Sequence, residues 1–342
     1  MAPRLPLNVV EQIVRGSNDG RKTYTFNDGH DYNLPAQWWF QESHEGLILF
    51  LVFYTQACQW SRCLACNLPS RMSKDHVSYK AVISQIDWVF ANPEIMVRKD
   101  EIRKVILSNN GSVLDQETFS TTALMYLMAK LNLNFRWLDV ISLETRPEYV
   151  DLAEIVVLSR AAAEGDTPTR IELAVGFEVF DDHIRNDVLM KGLHLAVFEK
   201  MVTQATSHGF RIKCYLMQKP VPGMSDEEAI KDVECAIEYL HRVSESCGAL
   251  INVHLNPTYV ARNTDLEVAF LRGEYVPPFL SDVAKAALAG RGKSLTMFIG
   301  LYDEGLAVPG GSFIRDERDE GLVAVLEQFN RTQNFEVIES ML

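Results

Sequence analysis

No apolar run in this 342-residue chain approaches membrane-spanning length. The longest, from Leu47 to Tyr54, has eight residues, where a bilayer needs about 20, and its length suits a buried strand. Basic residues are scarce: 33 Lys and Arg stand against 46 Asp and Glu, a formal net charge of −13. That balance argues against broad phosphate-backbone binding, which needs a basic face. Low-complexity tracts and short tandem repeats are absent, and 19 Gly with 13 Pro is ordinary for a globular chain, which excludes collagen-like or disordered classes. The first eight residues carry one charge, Arg4, and two prolines, with no apolar segment behind them. No secretory signal is therefore expected, and the chain reads as cytoplasmic. Cysteines number six and are not spread in pairs, so a disulfide framework is not expected.

What is present is an alternation of strand-like and helix-like segments. Strand-like apolar runs cover 47–55, 102–108, 137–143, 171–177, 210–217 and 250–256, and helical patterns cover 73–92, 117–132, 147–163, 194–208 and 225–246. The last opens Ser225-Asp-Glu-Glu228, a capping box. Strands separated by such helices must pair in parallel, and near-continuous apolar strands fit a sheet covered by helices. Six units allow either a partial (βα)6 barrel or an open doubly wound sheet. In both, chemistry is expected beyond the carboxyl ends of the strands. We read residues 1–45 as an N-terminal extension, 46–260 as the core, and 261–342 as a C-terminal extension packed on it, with a strand at 294–301 and a helix at 317–333.

Three cysteines crowd into nine residues directly after the first strand: Cys58, Cys63 and Cys66, spaced C-x4-C-x2-C. Three thiolates on one loop suit a soft metal centre. Structural zinc wants four ligands and ferredoxin clusters use four cysteines, so a fourth position is open or filled from elsewhere. The competing reading is zinc completed by a histidine such as His76. Cys214, Cys235 and Cys247 sit within apolar stretches and read as small buried hydrophobes. Asp181-Asp182-His183 reads as a helix N-cap rather than a metal site, and Trp38 and Trp39 as core cover.

The cysteine loop resembles that of the radical SAM superfamily, whose members usually space it C-x3-C-x2-C. One residue is added to the first gap here, and Ala65 stands where members tend to carry a bulkier residue. Asn109-Asn110-Gly111-Ser112 follows the second strand, where the family keeps a glycine-rich segment. Glu144-Thr-Arg146-Pro-Glu148 resembles the E-x-R-P-[ED] signature of elongator-type members, and Glu178 falls in a G-x-E segment ending the fourth strand. Gly111-Ser-Val-Leu-Asp115, Arg146 to Tyr149, Tyr215 to Pro220, Leu255 to Val260 and Gly273 to Pro278 are similar to the archaeosine-synthase-associated enzymes of this superfamily. Those act on a tRNA base with a partner protein, whereas this chain is acidic and its tail after Pro309 offers no second thiolate site.

The resemblance implies a radical SAM partial (βα)6 TIM-like barrel in which Cys58, Cys63 and Cys66 hold a [4Fe-4S] cluster. S-adenosylmethionine (SAM) would be bound with help from Asn109, Asn110, Gly111, Ser112, Glu144, Arg146 and Glu178. One electron from a flavodoxin or ferredoxin would then cleave SAM to a 5′-deoxyadenosyl or a 3-amino-3-carboxypropyl radical, acting on a small molecule. The alternatives are tRNA base modification with a partner protein, or a non-catalytic iron–sulfur or zinc module. If the strands are placed correctly, Lys213, Tyr215, Gln218 and Lys219 end the fifth, and Asn256, Tyr259 and Arg262 follow the sixth, as substrate-side candidates.

Overall fold

The computed structural model describes residues 25–342; residues 1–8, read above for a leader, lie outside that range. Eight strands form one sheet: β1 Gln37–Ser43, β2 Gly46–Val52, β3 Ile102–Ser108, β4 Val140–Thr145, β5 Arg170–Glu178, β6 Arg211–Gln218, β7 Ile251–Pro257 and β8 Leu295–Ile299. Their spatial order is β1 through β8 without a reversal. A doubly wound sheet requires a point where strand order reverses, so strict succession decides for the partial barrel. From β2 onward every pairing is parallel, and β1 pairs antiparallel with β2. The eight strands form an open, curled half-barrel.

Period-two alternation divides each strand between two environments. Leu47, Leu49 and Leu51 of β2 enter the main apolar core, while Ile48, Phe50 and Val52 form a separate cluster with Ile106, against Trp39. On β6, Ile212, Cys214 and Leu216 enter the same main core. That core lies between the sheet and an outer ring of helices: α1 Tyr79–Ala91, α2 Thr121–Asn134, α3 Leu152–Ala162, α4 Leu195–Ser207, α5 Asp226–Cys247, α6 Leu280–Ala287 and α7 Glu317–Thr332.

Caps explain where helices depart from the sequence reading. The first begins at Tyr79, not residue 73, because Ser73 pairs with the cysteine loop and Ser78 accepts from the Ala81 amide. Asp151 caps α3, splitting the expected 147–163 helix into a short turn and α3. The capping box of α5 is present, with Ser225 and Glu228 each bonded to the other's backbone amide. Asp181 accepts from the Ile184 amide at 2.8 Å, starting a helical turn. Cys214 is buried as expected, but Cys235 and Cys247 are half-buried. Trp137 is exposed, and β4 starts only at Val140. The strand β1 was not anticipated.

An open barrel leaves strand edges, which expose unpaired amides and carbonyls. Two carboxamides at the end of α7 cover that of β8. Asn330 Oδ1 accepts from the Ile299 amide at 2.7 Å and its Nδ2 donates to the Ile299 carbonyl at 2.9 Å. Gln333 repeats the pattern on Met297 at 2.8 and 2.7 Å. The Asn330 carbonyl also accepts from the amide of His44, just after β1, so the helix joins both edges. Replacing Asn330 by Leu strands two buried backbone groups of Ile299, each costing about 1–3 kcal/mol. Urea unfolding of Asn330→Leu is expected to show a loss of at least about 2 kcal/mol, and an unchanged midpoint would contradict this role.

Candidate active site

The cysteine loop leaves β2 and is fixed from several directions. Gln85 of α1 bonds both backbone groups of Tyr54 at 2.8 Å. The Ala57 amide donates to the Ser73 carbonyl at 2.9 Å, and the Leu64 amide to the Leu189 carbonyl at 3.0 Å. Trp60 Nε1 donates to the Met190 carbonyl at 2.8 Å, and Asn67 Nδ2 to the Arg262 carbonyl at 3.0 Å. Ser61, with φ of +40°, donates its hydroxyl to the Cys58 carbonyl. Burial pushes the Cys58 thiol up from its ordinary value.

A cavity of about 310 Å³ opens at the carboxyl ends of the strands, and all three thiol-bearing residues of the loop line it. Gly111 also lines it; a Cβ there would stand 3.1 Å from both Cα and Cβ of Cys58. A side chain at this position would push the loop back by a few tenths of an ångström, so the bare backbone suits this close approach. Asn110, in the left-handed region at φ +54°, is beside it. Asn109 and Ser112, expected as cofactor contacts, do not line the cavity. Asn109 donates to Thr55 and Thr118, and Ser112 bonds Thr145 at 2.7 Å. They brace the wall from behind.

Three acid-containing pairs ring the cavity. Tyr215 donates its hydroxyl to Glu144 at 2.6 Å; burial raises the Glu144 carboxyl, with the Ser108 and Tyr215 hydrogen bonds acting against that rise. Arg146 pairs with Glu148 and lies over the Trp60 ring, 4.3 Å from its centroid. Its Nη2 is buried without a partner. Glu178, at φ +70°, pairs with Lys191 at 2.6 Å. Burial works against the Lys191 charge, but Glu178 and Cys63 outweigh it and raise its pKa.

Of the substrate-side candidates, Tyr215, Asn256 and Tyr259 line the cavity. Lys213 does not; it lies one layer below. Gln218 is buried with both amide atoms unpartnered, and Lys219 pairs with Asp226 at 2.7 Å. Arg262 lines a separate hollow with Asn67 and Asn263. The strand period separates these side chains, since Gln218 falls on the face opposite Tyr215 and Met217. The sequence reading missed Trp39, Trp60, Lys191, His254, Tyr302 and Glu304, all of which line the cavity. Trp60 could have been found from its position between two cysteines. Trp39 lies on the unanticipated β1, stacked on Phe50 at 4.1 Å, and Glu304 lies on a loop after β8 with no local signal.

Among the described residues, no three His, Cys, Asp or Glu gather closely enough to hold one ion. His76 is exposed, its Nδ1 3.2 Å from the Glu117 carbonyl, and does not line the cavity. Ligands to a four-iron cluster bind separate irons and need not converge on a single point. Three thiol-bearing residues lining one cavity with the cations Arg146 and Lys191 are a donor set that fits such an anionic group.

Below the cavity, inward side chains form a charged floor. Lys104 pairs with Glu45 at 2.8 Å and Glu172 at 2.7 Å, and Arg211 reaches the same two acids at 2.5 and 3.4 Å. These four charges balance. Lys213, buried beside them, makes no ion pair among the described residues, and burial together with Lys104 lowers its pKa to about 8. Between pH 8 and 10 the unfolded chain binds this proton more than the folded one, so its contribution makes stability rise with pH. Lys213→Met should be at least as stable as the parent at pH 7, because it removes a buried unpaired charge. It should also lose that rise, as read by urea unfolding across the range. A large loss of stability at pH 7, or an undiminished rise, would contradict this assignment.

Comparison with known proteins places this geometry in context. No family model matches the chain. An uncharacterized protein of Methanocaldococcus jannaschii is 24% identical over 259 residues, covering 73% of this chain and 67% of its own. Archaeosine synthase subunit beta of Thermococcus kodakarensis is 20% identical over 304 residues, covering 86% and 88%. Among solved structures, Elp3 of the archaeon Methanocaldococcus infernus aligns with TM-score 0.49 at 17% identity, covering 73% of this chain and 58% of that one. The radical S-adenosylmethionine methyltransferase TsrM of Kitasatospora setae, solved with cobalamin and a [4Fe-4S] cluster, aligns at 0.43 with 15% identity, covering 66% and 39%. SuiB of Streptococcus suis, bound to S-adenosylmethionine, aligns at 0.45 with 12% identity, covering 75% and 52%. One of these structural neighbours is named a radical S-adenosylmethionine methyltransferase, another is solved with S-adenosylmethionine bound, and one sequence relative is named archaeosine synthase subunit beta.

Proposed function

We propose that this chain is a radical SAM enzyme in which Cys58, Cys63 and Cys66 ligate three irons of a [4Fe-4S] cluster and leave the fourth for SAM. The observation that carries the reading is the joining of three thiols and an unpartnered, buried Arg146 Nη2 in one cavity. When bound, such a cluster supplies, from a flavodoxin or ferredoxin, the electron that breaks a C–S bond of SAM and frees an organic radical. The protein's part is binding, orientation and exclusion of water. Arg146, held over the Trp60 ring and paired with Glu148, keeps one guanidinium nitrogen free for a carboxylate, for which arginine is suited. The backbone at Asn110 and Gly111 comes close enough to the loop to meet SAM's polar end. Glu144 accepts from Tyr215 and Ser108, and its remaining lone pairs can take an amino group.

The substrate is proposed to be a small molecule, in line with the formal net charge of −13. A second reading, modification of a tRNA base with a partner protein, is favoured by the relative from Thermococcus kodakarensis, which aligns over 86% of this chain. Salt-sensitive tRNA binding would support that second reading.

The test is anaerobic reconstitution with iron and sulfide, followed by dithionite and SAM. The expected product is 5′-deoxyadenosine, or methylthioadenosine if the 3-amino-3-carboxypropyl bond breaks. Cys58→Ala, Cys63→Ala and Cys66→Ala are each expected to abolish cluster absorbance and SAM cleavage. One zinc per chain with no response to SAM would overturn the proposal.

A further inference from the structure

Part of the cavity is not used by the function proposed above. The loop after β8 turns at Glu304, which adopts φ of +57° and lines the cavity. A left-handed backbone is uncommon for glutamate. Among the described residues its carboxylate makes no ion pair or hydrogen bond, while its carbonyl accepts from Arg71 Nη2 at 3.2 Å. The cations lining the cavity make their ion pairs with other acids, Arg146 through Nε with Glu148 and Lys191 with Glu178. Glu144 and Glu304 therefore share one cavity with no ion pair to either carboxylate among the described residues, and each raises the cost of charging the other, with Arg71 acting against that rise at Glu304.

Aromatic faces accompany this unmatched negative charge. Trp39 stacks on Phe50, and the Tyr302 ring is 5.4 Å from it, with the Tyr302 hydroxyl accepting from Gln37 at 3.0 Å. An aromatic face beside a carboxylate favours an organic cation. A separate observation points to a ligand as well. His254 lines the cavity and is 6% exposed, and its Nδ1 is buried without a partner. Burial, then Lys213 and Lys104, hold the imidazole neutral by lowering its pKa, so it adds no positive charge. Gly300 keeps the space beside His254 and Asn256 free, since a Cβ there would meet both.

We propose that Glu304 binds the ammonium group of an amine-bearing substrate, with Trp39 and Tyr302 covering the adjoining carbons and His254 bonding a polar group on it. Naming this ligand the substrate rests on the radical SAM reading; the amine site itself does not. The groups facing Glu304 are Glu144 on β4, Tyr215 on β6, Tyr259 after β7, and Arg71 and Asp303. Burial and Glu144 push its carboxyl up to about 7. The carboxylate is the binding form, so amine affinity should grow as pH rises through 7.

The test measures binding of n-pentylamine and of its neutral analogue n-pentanol by calorimetry and tryptophan fluorescence, at pH 8 and pH 6. It uses the full chain, as purified and after anaerobic reconstitution. Pentylamine is expected to bind at least about tenfold more tightly than pentanol at pH 8, and the ratio to shrink at pH 6. Glu304→Gln should cut amine affinity about tenfold, equivalent to about 1.4 kcal/mol, while leaving pentanol affinity unchanged, and Glu304→Asp should retain part of the preference. Equal binding of amine and alcohol, no amine binding, or full amine affinity in Glu304→Gln would overturn the proposal. SAM cleavage by the parent protein is read separately, so its absence would sink the radical SAM reading without touching the amine result.

Discussion

The cavity depends on a constraint set by the strands' inward positions: most charged side chains there are paired away from water. Burying a charge is costly unless it is paired. Lys104 and Arg211 each reach both Glu45 and Glu172, so these four charges of the floor are matched, with Lys213 left over beside them. Those partners hold Glu45 down at about 2, although burial alone would raise it. A floor of aliphatic residues would fill the barrel by packing, as in a closed eight-stranded barrel. Here a charged layer is followed by Tyr215, Glu144 and His254, which line the cavity.

The second requirement is closure of the curl. Parallel strands in strict succession place every carboxyl end on one rim, so the cysteine loop, the segment after β3 and the ends of β4 and β5 meet there. The sheet is not a closed barrel. Its edges are instead joined through α7, whose Asn330 and Gln333 pair with β8 as a further strand would. Near the rim, Gln37 of β1 reaches Tyr302 beyond β8. That contact brings Trp39 and the Glu304 loop to the same cavity as the thiols.

Much of this was legible in the residues. The apolar runs marked six strands, because a strand covered by helices must be apolar on its outer face. The cysteine loop was legible because core packing rarely calls for three thiols within nine residues, whereas a soft metal centre does. Choosing between a barrel and a doubly wound sheet was not, since periodicity reports which face is buried and says nothing of spatial order. The strand β1 escaped notice because its residues are mostly half-buried. Lys213 and Tyr215 share a face of β6, yet two residues along the strand separate a buried, unpaired charge from a cavity residue. Asn109 and Asn110 differ similarly: one points into a buried hydrogen-bond network, and its neighbour, in the left-handed region, lines the cavity. Glu304 depends on a distant part of the chain folding back, which no local pattern records.

The central claim is that the thiols of Cys58, Cys63 and Cys66 leave one iron of a cluster free for SAM. Its most direct test is electron–nuclear double resonance on the reduced, reconstituted protein with SAM whose carboxylate carries a magnetic oxygen isotope. The account predicts a hyperfine coupling between that oxygen and the cluster spin, absent when unlabelled SAM is used. A fully assembled cluster showing no such coupling under saturating SAM would contradict it.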